Sequence, residues 1–387
     1  MTDSVESPLS DSPAAVGKPD GGSPIRPEEL PPVQPPSAGY IIQLFLIPAL
    51  IVVAVIGVWA LFGMLANSDT NWQQLVGELD QNKHRRWRAA LGLAQLLQNQ
   101  KTEPDENGLL LAEQPLLADA LTKLLRESLA SKSTGDDEVK QQEFLARTLG
   151  SLDNDERVLP ALSHALSPEW NTEVRKSSLM ALAMIAGRHF EQRAADSGAS
   201  VIDTGANGEP VYMLNAPLSP PTIMDESVIQ SLKRAAQDEE AGIRHLTAYV
   251  LALISGDKAM SELKVMLLDG DALTRANAAV GLARNGLTDG VPVLIGLVRD
   301  GSTEMSREEF QKLTPEEQQQ AMSARQFEQP IILSNSLRAI GSLWDLMSSE
   351  QHAELQPLLA SLAETASAAD VRLQARSLMS RQKTPEP

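Results

Sequence analysis

The pattern of apolar and polar positions repeats along most of this chain. In residues 263–286 an apolar segment ends in Asp269, a short polar turn follows, and Arg275 comes six residues after the acid. The small and apolar positions that come next fall on one helical face: Ala278, Ala279 and Leu282. A motif of this kind that recurs roughly every thirty to thirty-five residues indicates stacked helix pairs, since each pair buries its apolar stripe only against its neighbours.

Further copies of the motif predict the architecture. Asp80 precedes Arg86, Asp238 precedes Arg244, and Glu169 holds the acidic place before Arg175. The periodicity predicts an all-α fold, an α-solenoid of about seven helix pairs over residues 67–382. The predicted pairs are 70–79 with 83–98, 108–130 with 136–150, 154–166 with 171–187, 225–236 with 240–254, 257–268 with 272–285, 289–299 with 329–345, and 350–363 with 369–381.

The arginine of the motif needs a partner, because a cation in the first turn of a helix opposes the helix dipole. An acid of its own unit or of the next unit is the simplest partner. Two units are irregular: Lys140 is predicted to take the arginine place in the second pair, and Leu333 takes it in the sixth.

These residues resemble the HEAT repeat, in particular the bacterial form named after phycobilisome lyases. The resemblance covers about residues 70–382 and includes first-helix segments such as Val158-Leu159-Pro160-Ala161-Leu162. It implies a buried ladder of acids and arginines between repeats. The ladder residues are then Asp80, Arg86, Arg175, Asp238, Arg244, Asp269, Arg275 and Arg372.

Residues 40–66 contain no charged side chain, and about 20 apolar residues suffice to cross a bilayer. Tyr40 at one edge and Trp72 beyond the other are predicted to lie at the membrane interfaces. A cleaved signal peptide is the alternative, but the apolar run is long and no basic start precedes it. The pattern favours one uncleaved transmembrane helix in the inner membrane. More basic residues follow the helix than precede it, which places the solenoid in the cytoplasm; a location in the envelope is the alternative.

The ends of the chain and two long interruptions lie outside the repeat pattern. Residues 1–39, rich in proline and acidic, and residues 383–387 are predicted to be disordered. The proline-rich part is interpreted as a stiff spacer, with a polyproline ligand as the alternative. Insertions fall at 188–224, where a β-hairpin is predicted, and at 300–328, where an extra capped helix is predicted. Each is equally compatible with a binding function and with tolerated loop growth.

Composition narrows the possible functions. The chain has 33 basic and 51 acidic residues, a net charge of -18, so its surface repels phosphate backbones and nucleic-acid binding is not expected. The absence of cysteine excludes disulfides, zinc–thiolate sites and iron–sulfur clusters. The five histidines are scattered over different pairs, and none precedes a glutamate as the ligand pairs of diiron solenoid enzymes would require.

We therefore expect no catalytic residue, no metal site and no cofactor. The sequence favours a membrane-anchored scaffold without enzyme activity, whose solenoid binds a protein partner that is itself membrane-associated. No small-molecule substrate is evident. The alternative is a solenoid that assists, or acts as, a lyase-like enzyme that handles a cofactor.

Overall fold

The computed structural model describes most of the chain after residue 71. The described residues are 52, 53, 55, 56, 72–81, 86–99, 104, 108–132, 135–204, 210–213, 218, 221, 226–303 and 306–381. Residues from Thr70 onward form one compact unit, and Met1–Asp69 form a separate one. Residues 1–39 and 383–387, predicted to be disordered, and Tyr40, predicted to lie at a membrane interface, are outside the described residues.

Seven helix pairs make up the larger unit, and the predicted all-α solenoid is confirmed in this part of the chain. The pairs are α1 (Trp72–Gln81) with α2 (Arg86–Asn99), α3 (Pro115–Ala130) with α4 (Asp136–Gly150), α5 (Asp155–Ala165) with α6 (Thr172–Asp196), α7 (Glu226–Ala235) with α8 (Ala241–Ile254), α9 (Gly256–Met266) with α10 (Ala272–Arg284), α11 (Val291–Ser302) with α14 (Gln329–Ser342), and α15 (Ser349–Thr365) with α16 (Ala369–Arg381).

The helices pack in two layers. The second helices stack in the order α4, α6, α8, α10, α14 and α16, while α1, α3, α5, α7 and α9 stack as first helices. The repeated apolar positions of the motif form the core between the layers: Ala89, Ala90 and Leu93, then Thr247, Ala248 and Leu251, then Ala278, Ala279 and Leu282, all at most 4% exposed. The 3.6-residue period puts these positions on one stripe, which explains why each pair needs neighbours.

Small residues let the second helices approach closely. A methyl group built on Gly150 would lie 2.6 Å from the Ala181 Cα, and one on Gly281 would lie 2.6 Å from the Ala252 Cβ. No side chain larger than hydrogen fits at either place without movement of the backbone. Glycine and alanine therefore set the spacing between neighbouring second helices.

The two insertions contain the predicted elements and additional ones. Helix α6 continues to Asp196, beyond its predicted end at 187, and the predicted hairpin then follows as β1 (Ser200–Thr204) and β2 (Pro210–Met213), paired antiparallel. In the second insertion, α12 (Arg307–Lys312) precedes α13 (Pro315–Ser323). The side chain of Thr314 caps α13, as its sequence predicts.

The predicted localisation is contradicted. No helix formed by the described residues is both long enough and apolar enough to cross a membrane. The longest, α6 with 25 residues, alternates a buried apolar stripe with charged side chains such as Glu173 and Lys176, so it is amphipathic. A single-pass inner-membrane protein is thus not supported. The predicted span 40–66 lies outside the described residues except for four helical positions: Val52, Val53, Val55 and Ile56.

Candidate functional site

The N-terminal edge of the second helices carries two ion pairs between successive helix pairs. Arg175 of α6 contacts Asp238, which lies just before α8, and their side chains are only 9% and 10% exposed. Arg244 of α8 donates from Nε and Nη2 to the two carboxylate oxygens of Asp269, at 2.8 Å and 2.9 Å. In both cases an arginine reaches the acid of the following unit.

Three arginines of this edge also donate to the turn before their own helix. The Nη1 of Arg244 donates to the carbonyl oxygens of Asp238 and Glu239, at 2.9 Å and 3.0 Å. Arg275 makes the same pair of contacts with the carbonyls of Asp269 and Gly270. Arg372 does so with the carbonyls of Ala366 and Ser367. A planar guanidinium with five donors can serve the turn and the neighbouring acid at once, which a lysine cannot.

The ion pair changes the protonation equilibria of its members. The hydrogen bond from Arg244 holds the pKa of Asp269 below its usual value, and it raises the pKa of Arg244 in turn. The Asp269 carboxylate also accepts from the backbone N–H of Asp271, at 2.8 Å. Both partners therefore remain charged at neutral pH, inside a largely buried contact.

Four of the eight sequence-predicted ladder residues do not join an ion pair in the described part of the chain. Asp80 is exposed on α1. The Nε and Nη1 of Arg86 are buried and have no hydrogen-bond partner. Arg275 and Arg372 bind backbone carbonyls, and none of the described ion pairs includes them. Arg275 lacks an acidic partner because the next unit has no acid at the motif position. Six residues before Leu333, where the motif has an acid, the chain has Phe327.

The second pair departs from the motif in its register. Gln142, not Lys140, occupies the arginine place, because the buried positions Leu145, Ala146 and Leu149 follow it at the motif's spacing. Gln142 is buried and donates to the carbonyl oxygen of Ser128 at 3.1 Å, whereas Lys140 is exposed. Helix α4 begins at Asp136, six residues before Gln142, while α6, α8 and α10 begin three residues before their arginines. The acid six residues before Gln142 is Asp136, the first residue of α4, and no ion pair among the described residues joins it to Arg86.

A second set of contacts, which the sequence did not predict, lies at the opposite edge of the second helices. Arg188 of α6 donates to the carbonyls of Gly150 and Leu152 at the end of α4, both at 2.7 Å. Arg193 of α6 donates to the carbonyls of Leu253 and Ile254 at the end of α8. The last carbonyls of a helix lack intrahelical partners and attract cations. Similar contacts join later helices: Asn285 to the Ala252 carbonyl, and Arg381 to the Gly341 carbonyl.

Aromatic rings surround part of this edge. The guanidinium carbon of Arg284 lies 5.8 Å from the centre of the Phe190 ring and 5.5 Å from that of Tyr249. Tyr212 of β2 packs edge-on against Phe190 of α6, so the hairpin contacts the solenoid through this ring pair. Burial lowers the pKa of Arg193, which is 4% exposed and lies 5.8 Å from the same Phe190 ring. The hairpin is thus part of the packed edge.

The sequence predicts packed positions for Trp87, Trp170 and Trp344, because they fall on helical segments. Trp344 is buried as expected, but Trp87 is 55% exposed on α2. Trp170 and Trp72 are half-buried against the core. Trp72, predicted to lie at a membrane interface, therefore contacts the helix core at the start of α1.

The described histidines make separate contacts. His189 contacts Asp155, His164 packs edge-on against Trp170, and His352 lies against Trp344. Burial is the main reason that the pKa of His245 lies below its usual value. No group of three or more histidine or carboxylate side chains within the described ranges is arranged to hold a metal ion.

Comparison with known proteins gives structural similarities alone. No protein-family profile and no curated protein matches the chain. Among solved structures it is similar to an engineered protein (19% identity over 69% of this chain and 96% of that chain, TM-score 0.37). It is also similar to a designed armadillo repeat protein (16%, 74% and 98%, TM-score 0.32) and to another in complex with a (KR)4 peptide (13%, 80% and 99%, TM-score 0.33). At these values the similarities assign neither a family nor an activity.

Proposed function

We propose that this chain is a scaffold without enzyme activity, which binds a protein partner on the outer face of its second helices. The observation that carries the proposal is the unbroken stack of second helices from α4 to α16. Such a stack presents the same position of every unit on one extended surface, and solenoids use surfaces of this kind for binding. On α6 this surface includes Met180 and Met184, which are 49% and 44% exposed.

The assignment of the units to HEAT-like repeats of the phycobilisome-lyase type belongs to the same proposal. It is supported by the spacing of Asp238 with Arg244 and of Asp269 with Arg275, and by the contact of Arg244 with the acid of the next unit. The lyase-like alternative is not advanced as a second function, because no contact among the described residues favours it.

A site-specific crosslinking experiment tests the proposal. A photoreactive amino acid is placed in the full chain at Met180, on the second-helix face, or at Leu116, an exposed position on the first helix α3. We expect the Met180 probe to give one discrete crosslinked protein in the producing cells, and the Leu116 probe to give none. The same set of weak products from both positions would contradict a dedicated binding face.

A further inference from the structure

The second helices are packed least closely at the N-terminal end of the solenoid, between α2 and α4. From α4 to α16 each second helix packs against the next, whereas α2 packs mainly against α1 and does not join α4 in this way. A groove lies between the two helices. Its lining includes Leu79 of α1, Arg86 and Trp87 of α2, and Asp137, Lys140 and Phe144 of α4.

The groove is small and open to solvent. Its volume is about 210 Å³ when the open mouth is included. Sites for small molecules usually occupy roughly 300–1,000 Å³ and enclose most of the ligand. The size therefore suits a side chain presented by another protein better than a free small molecule.

Arg86 brings hydrogen-bond donors that lack an acceptor. Its Nε and Nη1 are buried, and neither has a partner in the part of the chain that the structure describes. In the corresponding place of α8, Arg244 donates from Nε to the Asp269 carboxylate and from Nη1 to the turn before its own helix. A buried donor without an acceptor is costly, most of all on a charged group. Arg86 is thus a ladder arginine without its acid, and a carboxylate from outside the chain can take that place.

The charged groups of the groove favour an anion. Within the described ranges neither Arg86 nor the exposed Lys140 joins an ion pair. Against these two cations the lining has one carboxylate, that of Asp137. Asp137 belongs to the first turn of α4 together with Asp136 and Glu138, where the helix dipole stabilises negative charge. The first turn of α2 contains no acid, so its amide-rich end also attracts an incoming anion.

Aromatic side chains lie beside the unpartnered cation. Trp87 is 55% exposed, and Phe144 is partly buried against the core. Leu91, one turn after Trp87 on α2, is 61% exposed. Large rings that remain open to water are enriched where proteins bind one another. The groove therefore suits a carboxylate that is followed or preceded by a large apolar side chain.

We infer that this groove binds an acidic segment of a protein partner. Arg86 and Lys140 donate to one carboxylate of the segment, and an adjacent apolar side chain packs on Trp87. The inference goes beyond the proposed function, because the groove lies at the end of the solenoid and not on the stack from α4 to α16. A phosphate backbone fits less well, since the groove has a single excess positive charge and the chain has a net charge of -18.

The test uses the full chain and three fluorescent probes. The first is a short Gly/Ser peptide with one Glu between two Phe residues, the second has Gln in place of that Glu, and the third is a short oligo(dT). Fluorescence anisotropy measures each affinity at low and at high salt. We expect the Glu peptide to bind about tenfold or more tightly than the Gln peptide, with an affinity that falls as salt rises. Equal binding of the Gln peptide, tighter binding of oligo(dT), or no binding of the Glu peptide overturns the inference.

Matched variants locate the binding. Arg86→Gln should weaken binding of the Glu peptide by about tenfold or more and leave the Gln peptide unaffected. Arg88→Gln removes the same charge from the same turn of α2 at an exposed position outside the groove, so it should change the affinity by less than about twofold. Asp137→Asn should strengthen binding of the Glu peptide, because it removes the competing carboxylate. Equal losses in the two arginine variants, or weaker binding by Asp137→Asn, overturn the placement.

Two further measurements separate binding from folding and from the proposed function. Because Arg86 has no internal partner among the described residues, Arg86→Gln should not lower the temperature of thermal unfolding. If that variant unfolds, Lys140→Gln at its exposed position replaces it, and an unchanged affinity for the Glu peptide then overturns the inference. Failure of the Glu peptide while the Met180 crosslink forms overturns this site alone. Binding of the Glu peptide without a Met180 crosslink supports this site and contradicts the proposed binding face.

Discussion

The guanidinium of Arg244 holds both carboxylate oxygens of Asp269, at 2.8 Å and 2.9 Å, across the boundary between two helix pairs. The partners are 25 residues apart in sequence. The third nitrogen of the same guanidinium donates to the turn before its own helix. The Arg244 side chain thus connects the turn of its own unit to the acid of the next unit.

The first prediction concerns the strength of this pair. In a double-mutant cycle with Arg244→Ala and Asp269→Ala, we expect a coupling free energy of about 1–3 kcal/mol, because both side chains are largely buried. Urea unfolding followed by helical circular dichroism measures it.

The matched control is the pair of Arg157 and Asp119, which also joins neighbouring units but is about half exposed. There we expect a coupling of about 0.2–1 kcal/mol, since solvent screens the charges. A coupling at Arg244–Asp269 no larger than the control would show that the buried pair does not hold the units together.

The second prediction concerns pH. The pKa of Asp269 is lower in the folded chain than its ordinary value of 3.8, chiefly because of the hydrogen bond from Arg244. A carboxylate of this kind stabilises the fold fully above the unfolded-state pKa, and that contribution disappears as the pH falls through the folded-state pKa. The free-energy difference between the wild-type chain and Asp269→Asn should therefore be largest near neutral pH and shrink below about pH 4.

Urea unfolding of both chains over a pH series tests this dependence. The variant Asp119→Asn serves as the control, because its carboxylate is exposed. A difference for Asp269→Asn that stays constant from neutral to strongly acidic pH would contradict the assigned role of the carboxylate.

The third prediction concerns the spacing of second helices. Gly150→Ala should lower the free energy of unfolding by about 1–3 kcal/mol, because the new methyl group would lie 2.6 Å from the Ala181 Cα. Gly187→Ala, in the middle of α6 with no atom within 4 Å of the new methyl group, should raise it by about 0.5–1 kcal/mol. Thermal unfolding of the two variants shows whether each substitution raises or lowers the stability. A loss of stability in both would contradict the packing argument.

The fourth prediction concerns the contacts at the C-terminal edge. Arg193→Met leaves the carbonyls of Leu253 and Ile254 without their donor, so we expect the fold to lose about 1–3 kcal/mol. Hydrogen exchange should accelerate at the end of α8 before it does elsewhere. Arg147→Met, which removes a half-exposed arginine paired with Glu143 on its own helix, should have an effect near zero. Unchanged exchange in α8 would show that Arg193 does not cap that helix.

The local period of the sequence was enough to predict the helix pairs, the hairpin and the capped helix of the second insertion. Apolar residues at helical spacing and capping residues such as Thr314 act within one turn or one unit, so they can be recognised without neighbours. The same holds for the acid and arginine positions at Asp238, Arg244 and Asp269, whose spacing marks each unit.

The register of the second pair was decided by tertiary packing. Lys140 and Gln142 are both polar and two residues apart, and only the burial of Leu145 and Ala146 against neighbouring helices selects Gln142. The acceptors of Arg188 and Arg193 are backbone carbonyls. Every residue has a carbonyl, so the residue type at the acceptor position does not indicate the contact. The sequence by itself determined which segments are helices and which face of each is apolar. The stacking of units decided which arginine meets an acid and which meets a carbonyl of a neighbouring helix, because these contacts join residues that are distant in the chain.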